Sequence, residues 1–418
     1  MTHGMERVER RLDCDVLIVG GGLVGSTLAV ALDTIGCRTV LVESRDPSRL
    51  EQPSFDARVT ALANGSQRIL ASLGLWRTLV RDAEPIRSIH VSERGRFGAV
   101  RIDAREEGVA ALGYTVENRR LGEALWTRLS AAKDFVLLGR VTLGAFERDA
   151  NGVRARIDGA NGGVEVRARS MVAADGAESP VRAALGIGAR EDRYAQQALI
   201  VNVTTDKPHD GVAYERFLQS GPLAMLPLPG GRVGVVWTLP SREAERVAAL
   251  PDDAFREALQ DAFGYRLGRI LKIGRRALHP LRRLRSDALG DGRVVLVGNA
   301  AVTLHPVAGQ GFNLALRDVA ALAELIADAR RSGEDLASIA ARYRAWRAGD
   351  QRKVAWFTHG LVGLFGWSLP GGGAMRGLGL AAFDVLPGAK RLLAHHTMGI
   401  AGKLPRLARG LPLEGRAS

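Results

Sequence analysis

The sequence predicts a mixed α/β fold, in which an α/β domain is interrupted by a β-rich insertion and followed by a helical C-terminal region. Two observations support this fold. Apolar runs of strand type alternate with helix-period patterns near the start of the chain and again after residue 281. Between these segments, four runs of strand type lie at residues 198–204, 212–217, 223–227 and 232–238.

The first strand is followed by a glycine-rich turn and a helix. The apolar run 16–19 leads into Gly20-x-Gly22-x-x-Gly25. The first glycine permits a tight turn, the second lets the backbone approach a pyrophosphate, and the third lets the helix pack close to the strand. The helical pattern and its C-terminal cap consist of Leu28, Leu32, Ile35 and Gly36.

A carboxylate follows at the distance that a dinucleotide site requires. The second strand, residues 39–42, ends at Glu43, about 20 residues after the glycines, where a carboxylate can bind ribose hydroxyls. The free N–H groups and the positive dipole end at the helix start favour phosphate. A turn without a ligand would explain the glycines but not Glu43. The pattern therefore predicts a Rossmann-like dinucleotide-binding unit.

Composition agrees with a globular enzyme of two or three domains. The 418 residues are 46% hydrophobic and 25% charged. Cys14 and Cys37 lack metal or redox spacing, so we expect buried thiols in a reducing compartment. Residues 1–12 are charged and contain no apolar stretch, which predicts a cytoplasmic protein without a secretory signal.

The net charge of +13 requires an explanation. Nucleic acid is excluded as a partner, because the basic residues are scattered and aromatic residues make up only 5% of the chain. An anionic membrane surface or acidic partner proteins would explain the charge. Arginines spread over solvated faces would explain it equally well.

Smaller patterns divide the rest of the chain. Helical spacing appears at residues 121, 125 and 129, a hairpin is expected at 153–157 and 164–168, and residues 170–174 form a buried strand. The α/β domain is predicted to consist of three parts, residues 11–80, 81–189 and 281–350, and the second part includes some elements of the insertion. The β-rich domain is predicted at 190–280 and the helical region at 351–418.

Two further motifs follow the glycine turn in a definite order. Asp175-Gly176 with Arg182 follows the buried strand, and a third motif begins at Gly298-Asn299 and ends at Asn313. Taken singly, Asp175-Gly176 would be an ordinary turn and Arg182 a surface arginine. The order of all three motifs is more specific than any one of them.

With these motifs the chain resembles the class A flavoprotein monooxygenases of the para-hydroxybenzoate hydroxylase fold. More narrowly, it resembles the ubiquinone-biosynthesis hydroxylases, and within them the 2-polyprenyl-6-methoxyphenol hydroxylase (UbiH) branch. The resemblance covers about residues 13–351. The segments that carry the narrow match are 56–63, 116–118, 213–217, 221–229 and 236–240.

The resemblance assigns roles to residues of the first two motifs. Gly20, Gly22, Gly25 and Glu43 would hold the ADP half of FAD. The remaining matches are Arg58 near the pyrophosphate, Asn118 near the ribityl chain, and Asp175, Gly176 and Arg182 in a motif linked to both FAD and the nicotinamide donor.

The third motif departs from the broad class, which usually has Gly-Asp where this chain has Gly298-Asn299. Asparagine still hydrogen-bonds a ribityl hydroxyl, and the ubiquinone-hydroxylase branch accepts it. The loop after Pro306 would place helix N–H groups at the N1–C2 edge of the reduced flavin. The expected cofactor ligands here are Gly298, Asn299, Gly309, Gln310, Gly311 and Asn313, and His305 and Pro306 are the catalytic candidates, with a structural role for His305 as the alternative.

The resemblance implies a FAD-dependent aromatic monooxygenase that hydroxylates a polyprenylated phenol in ubiquinone biosynthesis. NAD(P)H would reduce FAD, O2 would add at C4a, and the resulting hydroperoxide would pass its distal oxygen to the ring. The favoured step is that of 2-polyprenyl-6-methoxyphenol hydroxylase. Hydroxylation at another ring position, a flavin-dependent polyprenyl reductase, and a non-catalytic flavoprotein in a membrane-bound assembly are the alternatives. No histidine has metal-ligand spacing.

The basic tail is predicted to touch either lipid or the protein itself. From residue 354 onward there are seven Lys or Arg against two Asp or Glu. An interfacial segment on the inner face of the cytoplasmic membrane would fit this charge, and so would a helical layer packed on the β-rich domain. The basic residues nearest to apolar segments are Lys390, Arg391, Lys403, Arg406 and Arg409.

Overall fold

The computed structural model describes residues 10–46, 58–160, 162–304, 309–366 and 387–414. The strands are β1 Arg10–Val19, β2 Thr39–Glu43, β3 Val59–Ala63, β4 Ala83–Ile86, β5 Ser88–Glu93, β6 Ala99–Asp103, β7 Gly113–Glu117, β8 Phe135–Gly139, β9 Val141–Arg148, β10 Val153–Gly159, β11 Val164–Ala173, β12 Ala189–Thr205, β13 Val212–Leu218, β14 Gly221–Leu228, β15 Arg232–Pro240, β16 Ile270–Ile273, β17 Ala277–Ser286, β18 Gly290–Asp291, β19 Val294–Leu296 and β20 Val302–Thr303. The helices are α1 Leu23–Asp33, α2 Asn64–Ser72, α3 Trp76–Leu79, α4 Asn118–Ser130, α5 Pro180–Ala184, α6 Ser241–Ala248, α7 Asp252–Phe263, α8 Gln310–Ser332, α9 Ile339–Gly366 and α10 Pro387–Thr397.

The first sheet brings the ends of three strands to one edge. Its order is β18-β19-β11-β1-β2-β8, and β1 pairs in parallel with both β11 and β2. Val19 at the end of β1 lies opposite Ala173 of β11 and Val42 of β2. The carboxyl ends of parallel strands meet at the same sheet edge, which is where open α/β sheets bind ligands. Gly20, Glu43 and Asp175 therefore converge.

Strand β11 is one continuous element where the sequence predicted two. Its first half pairs antiparallel with β10, which confirms the hairpin, and its second half pairs in parallel with β19. Because all ten residues stay extended, the predicted break near residue 169 is wrong. The helix predicted around residues 121–129 is confirmed as α4, and the helix expected after the loop of the third motif is α8.

The second sheet has nine strands and two different faces. Its order is β20-β17-β12-β15-β14-β13-β5-β6, with β16 beside β12. Alternate residues such as Leu199, Val235 and Met225 pack against α6 and α7 in one apolar core. Their neighbours point the other way, because side chains alternate along a strand. The four predicted strands are confirmed, and the sheet also includes β5 and β6 from the segment 81–189.

The described part of the C-terminal region packs on the rest of the protein. Ala394 and Met398 are buried against Val100 and Ile102 of β6. Helix α9 packs on α8, where Arg347 and Asp318 form a buried ion pair of 2.7 Å. The predicted layer on the β-rich domain thus holds for Ala394 and Met398, whereas α9 packs on the α/β domain. No helix in the described ranges is both long and apolar enough to cross a membrane.

Candidate active site

A cavity of about 1180 Å³ lies where the ligand-binding edge of the first sheet meets one face of the second sheet. One end is polar and is formed by the three glycine-containing motifs. The other end is lined mainly by apolar side chains. The polar end contains Gly20, Gly22, Glu43, Arg58, Asn118, Asp175, Gly176, Asn299, Gly309, Gln310, Gly311 and Asn313.

In the glycine turn, α1 approaches the first sheet so closely that Gly20 and Gly25 have no room for a side chain. Gly20 has a φ of +104°, and a Cβ there would lie 2.4 Å from the carbonyl oxygen of Ala174. A Cβ at Gly25 would lie 1.9 Å from the carbonyl oxygen of Gly20. Gly25 therefore acts from behind the cavity wall, where it lets the N-terminus of α1 approach the sheet edge.

Glu43 is held rigidly at the end of β2. Its carboxylate accepts hydrogen bonds from the backbone N–H of Gly21 at 2.6 Å, from the N–H of Arg45 at 2.9 Å and from the hydroxyl of Ser44 at 3.0 Å. These bonds fix the carboxylate at the cavity wall beside the glycine turn. A fixed acceptor there suits the hydroxyls of a ribose next to a pyrophosphate at the start of α1.

Asp175 has one engaged carboxylate oxygen and one without a partner among the described residues. Oδ2 accepts from the Ser179 hydroxyl at 2.8 Å and from the Val181 N–H at 3.2 Å. Oδ1 is buried and has no hydrogen-bond partner there. Burial raises the pKa of this carboxyl, despite the hydrogen bonds that lower it. A buried acceptor without a partner is costly, so a ligand donor at this place would stabilise it.

Arg182 connects two motifs and does not line the cavity. Its guanidinium donates to the carbonyl oxygens of Ala177 at 2.7 Å and of Ala300 at 2.9 Å. It thereby fixes the second motif against the third. The structure thus gives Arg182 a positioning contact where the sequence predicted a cofactor contact. Gly298 likewise lies outside the cavity lining, with Val24 3.1 Å from the position of a Cβ.

The third motif presents the start of α8 to the cavity. Gly309 is left-handed with a φ of +60°, and a Cβ at Gly311 would meet nothing within 4 Å. The first turn of α8 contains no acidic side chain, so its N–H groups can face a negative charge. Asn313 holds this turn in place: it accepts from the N–H of Ala63 and donates to the carbonyl of Gly309, both at 2.8 Å.

The remaining predicted residues line the cavity or lie outside the described ranges. Asn118 accepts from the hydroxyl of Thr60 at 2.5 Å, and its N–H donates to the carbonyl of Arg58 at 2.9 Å. Asn299 is exposed at the cavity wall. His305 and Pro306, the catalytic candidates, lie outside the described residues, so their roles stay predictions.

This polar end fits a flavin dinucleotide. A pyrophosphate can approach the glycine turn because Gly20 and Gly22 carry no side chain, and Glu43 offers an acceptor for the ribose hydroxyls. The unpartnered oxygen of Asp175 can accept from the cofactor, and the start of α8 can stabilise a reduced ring.

The sequence analysis missed a carboxylate in the apolar end of the cavity. Glu215 of β13 lies on the cavity face of the second sheet, between Ala213 and Phe217. Burial raises its pKa to about 7. The signal was present in the sequence, because residues 213, 215 and 217 share one face of a strand, and 215 is the polar member of that face.

Comparisons with known proteins agree with this geometry. The model of a family described as "FAD binding domain" matches residues 13–355. Ubiquinone hydroxylase UbiL of Rhodospirillum rubrum is 40% identical over 404 residues, which cover 96% of this chain and 93% of that protein. The chain belongs to the FAD-binding family of ubiquinone hydroxylases. The 3-demethoxyubiquinol 3-hydroxylase of Escherichia coli is also related, with 32% identity over 92% of this chain and 98% of its own length.

A solved structure supports the fold. The p-nitrophenol 4-monooxygenase PnpA of Pseudomonas putida matches with a TM-score of 0.76 at 18% identity, over 94% of this chain and 99% of its own. The predicted fold class, family and FAD cofactor are thus confirmed, and so is the enzyme class of an aromatic hydroxylase, which acts on an aromatic ring with O2. The assignment to the UbiH branch stays a prediction.

Proposed function

We propose that this FAD-dependent hydroxylase adds oxygen to the ring of a polyprenylated phenol in ubiquinone synthesis, with NAD(P)H as the electron donor. The cavity carries this proposal, because a single space joins the polar end to an apolar chamber. The names of the related proteins, a ubiquinone hydroxylase and a 3-demethoxyubiquinol 3-hydroxylase, support it.

The apolar chamber suits a ring with an isoprenoid chain. Its walls include Ile89, Val91, Ile102, Ile200 and Leu226 from different strands of the second sheet. Each buried methylene of the substrate contributes about 0.8 kcal/mol on leaving water, so a prenyl chain would provide much of the binding energy. The chamber also keeps water away from the reacting ring.

The residues of the polar end would position the cofactor. Bound FAD would supply the activation of O2 and the transfer of one of its oxygen atoms to an electron-rich ring. Glu43 and the start of α1 would hold the ADP half, and Asn118 and Asp175 would offer polar groups to the rest of the cofactor. The start of α8 would stabilise negative charge on the reduced ring.

Product analysis tests this proposal. The purified protein is loaded with FAD and given NADH or NADPH, labelled O2, and a prenylated phenol or its methoxy derivative. We expect one labelled oxygen in the product, and NMR of the product identifies the ring position. For the UbiH step, a 2-polyprenyl-6-methoxyphenol is the preferred substrate. Reduction of the prenyl chain without uptake of oxygen would instead make the protein a reductase.

We also propose that the protein collects its apolar substrate at an anionic membrane surface. Within the tail, Lys390 pairs with Glu106 at 2.8 Å and Arg406 with Asp328 at 2.8 Å, so these two charges are partly neutralised by the protein. Arg391 and Arg409 are exposed. Each basic residue near an anionic surface contributes about 1 kcal/mol, and salt weakens this contribution.

Vesicle sedimentation tests the membrane contact. We expect binding to vesicles with anionic lipid at low salt, release at high salt, and weaker binding by the double variant Arg391→Glu, Arg409→Glu. Flavin content is measured in parallel to show that the variant is folded. Equal binding to neutral vesicles, or undiminished binding by the folded variant, would remove these two arginines from the contact.

A further inference from the structure

Glu215 is directed into the substrate end of the cavity by the alternation of strand β13. Ala213, Glu215 and Phe217 line the cavity. Tyr214 also touches the cavity lining, but its ring packs 5.4 Å from the ring of Phe263, in the core beneath α7. The strand register places Val91 of β5 and Ala224 of β14 on either side of Glu215, and both are apolar.

The surroundings of Glu215 provide little that stabilises its charge. Within the described ranges, no hydrogen bond or ion pair to its carboxylate is found. Burial is the one cause that raises its pKa to about 7. The other charged or titratable side chains of the cavity lining are Glu43, Arg45, Arg58, Asp175, Tyr214, His279 and Arg282, and none of them contributes to the shift. A buried carboxylate without a hydrogen-bond donor is energetically costly, so a donor on the bound ligand would stabilise it.

We propose that Glu215 is a catalytic residue of this hydroxylase, whose carboxylate accepts the proton of the ring hydroxyl of the phenol substrate. The inference rests on the proposed function. In the step, the O–H bond of the substrate breaks and an O–H bond to Glu215 forms. The electron pair stays on the ring oxygen and raises the electron density of the ring. When the product becomes aromatic, the C–H bond of the newly oxygenated carbon breaks and releases its proton to water, and the proton on Glu215 returns to the ring oxygen.

The raised pKa of Glu215 makes this transfer less unfavourable than it would be to an ordinary glutamate. A phenol has a pKa of about 10, and an unperturbed glutamate carboxyl has one of about 4.3. The raised pKa of Glu215, about 7, brings the acceptor much closer to the donor. A base whose pKa lies near the working pH combines adequate basicity with a large ionised fraction. Because the base must be ionised, activity should fall as the pH drops through the pKa of Glu215.

The first experiment compares Glu215→Gln with wild-type holoenzyme on two prenylated phenols. One is unsubstituted, and the other carries a nitro group and is ionised at the assay pH. We expect Glu215→Gln to lower kcat/KM about 100-fold or more for the unsubstituted phenol and less than about fivefold for the nitrophenol. The acid limb of the pH profile near pH 7 should disappear. Glu257→Gln, an exposed change on α7 behind the same sheet, is the matched control.

A binding measurement separates contact from a general structural effect. Oxidised holoenzyme without NAD(P)H is titrated with the nitrophenol, whose ionised form absorbs at longer wavelength. Loss of the negative carboxylate should lower the apparent pKa of the bound nitrophenol.

Three results would overturn the proposal: equal losses on both phenols, an unchanged acid limb, or an unchanged pKa of the bound nitrophenol. If wild-type enzyme hydroxylates neither phenol, the proposed function fails as well. If it hydroxylates both without dependence on Glu215, this inference alone fails.

Discussion

Replacing Gly25 by alanine tests the close approach of α1 to the sheet. A Cβ there would lie 1.9 Å from the carbonyl oxygen of Gly20 and 3.3 Å from the Cβ of Ala174. Real Cβ atoms essentially never approach other atoms within 3.0 Å. The start of α1 must therefore move by about 1 Å, because the backbone on the other side belongs to the same tight turn.

This displacement should weaken the binding of FAD, by an amount that follows from the lost hydrogen bonds. An N–H···O bond to the pyrophosphate would lengthen from about 2.9 Å to about 3.9 Å, which is beyond hydrogen-bonding distance. Loss of two charge-assisted bonds, at about 1.5 to 3 kcal/mol each, weakens binding by about 3 to 6 kcal/mol. The Kd for FAD should rise by a factor of about 10² to 10⁴. Overpacking should lower the free energy of unfolding by about 1 to 3 kcal/mol.

The assay is titration of the apoprotein with FAD, followed by quenching of flavin fluorescence, with circular dichroism to check folding. Gly349→Ala in α9 is the matched control, because a Cβ there meets nothing within 4 Å. It should bind FAD as wild type does and gain up to about 1 kcal/mol of stability from helix propensity. A folded Gly25→Ala protein that binds FAD within threefold of wild type would refute the placement of the pyrophosphate at this turn.

Two substitutions and one labelling experiment probe the second motif, the helical layer and the thiols. Asp175→Asn should slow flavin reduction by NAD(P)H more than it weakens FAD binding, and stopped-flow reduction at the wild-type rate would contradict this. Asp318→Ala removes the fully buried partner of Arg347 and leaves it the partly buried Asp350, so it should lower the free energy of unfolding in urea by about 3 kcal/mol. Burial raises the pKa of Cys14 and of Cys37 to about 12, so both thiols should resist alkylation at pH 8 until the protein is unfolded. Rapid labelling of the native protein would show that the thiols are accessible.

Short sequence patterns were sufficient to predict those parts of the fold and site that are formed by residues close together in the chain. The turn from Gly20 to Gly25 joins a strand to the helix that directly follows it, and its geometry depends on residues a few positions apart. Glu43 follows from the end of the next strand, because parallel strands meet at the same edge. The alternation of β12 to β15 likewise predicted four strands.

Distant contacts changed the interpretation of individual polar residues. Asn313 and Arg182 match cofactor motifs, yet the amide of Asn313 bonds to Ala61 and Ala63, about 250 positions away. Arg182 bonds to Ala300 across 118 positions. A motif gives the type of a side chain but not the atoms that it meets after folding.

By itself the sequence determined the family, the fold class and the cofactor, because these depend on short motifs and strand periodicity. Only the tertiary structure decided which face of β13 borders the cavity, and therefore that Glu215 reaches the apolar end. It also decided that α10 packs on β6, which ties much of the predicted lipid-binding tail to the protein. Burial and contact between distant segments arise only when the sheets and helices assemble, since hydrophobic packing is a property of the whole chain.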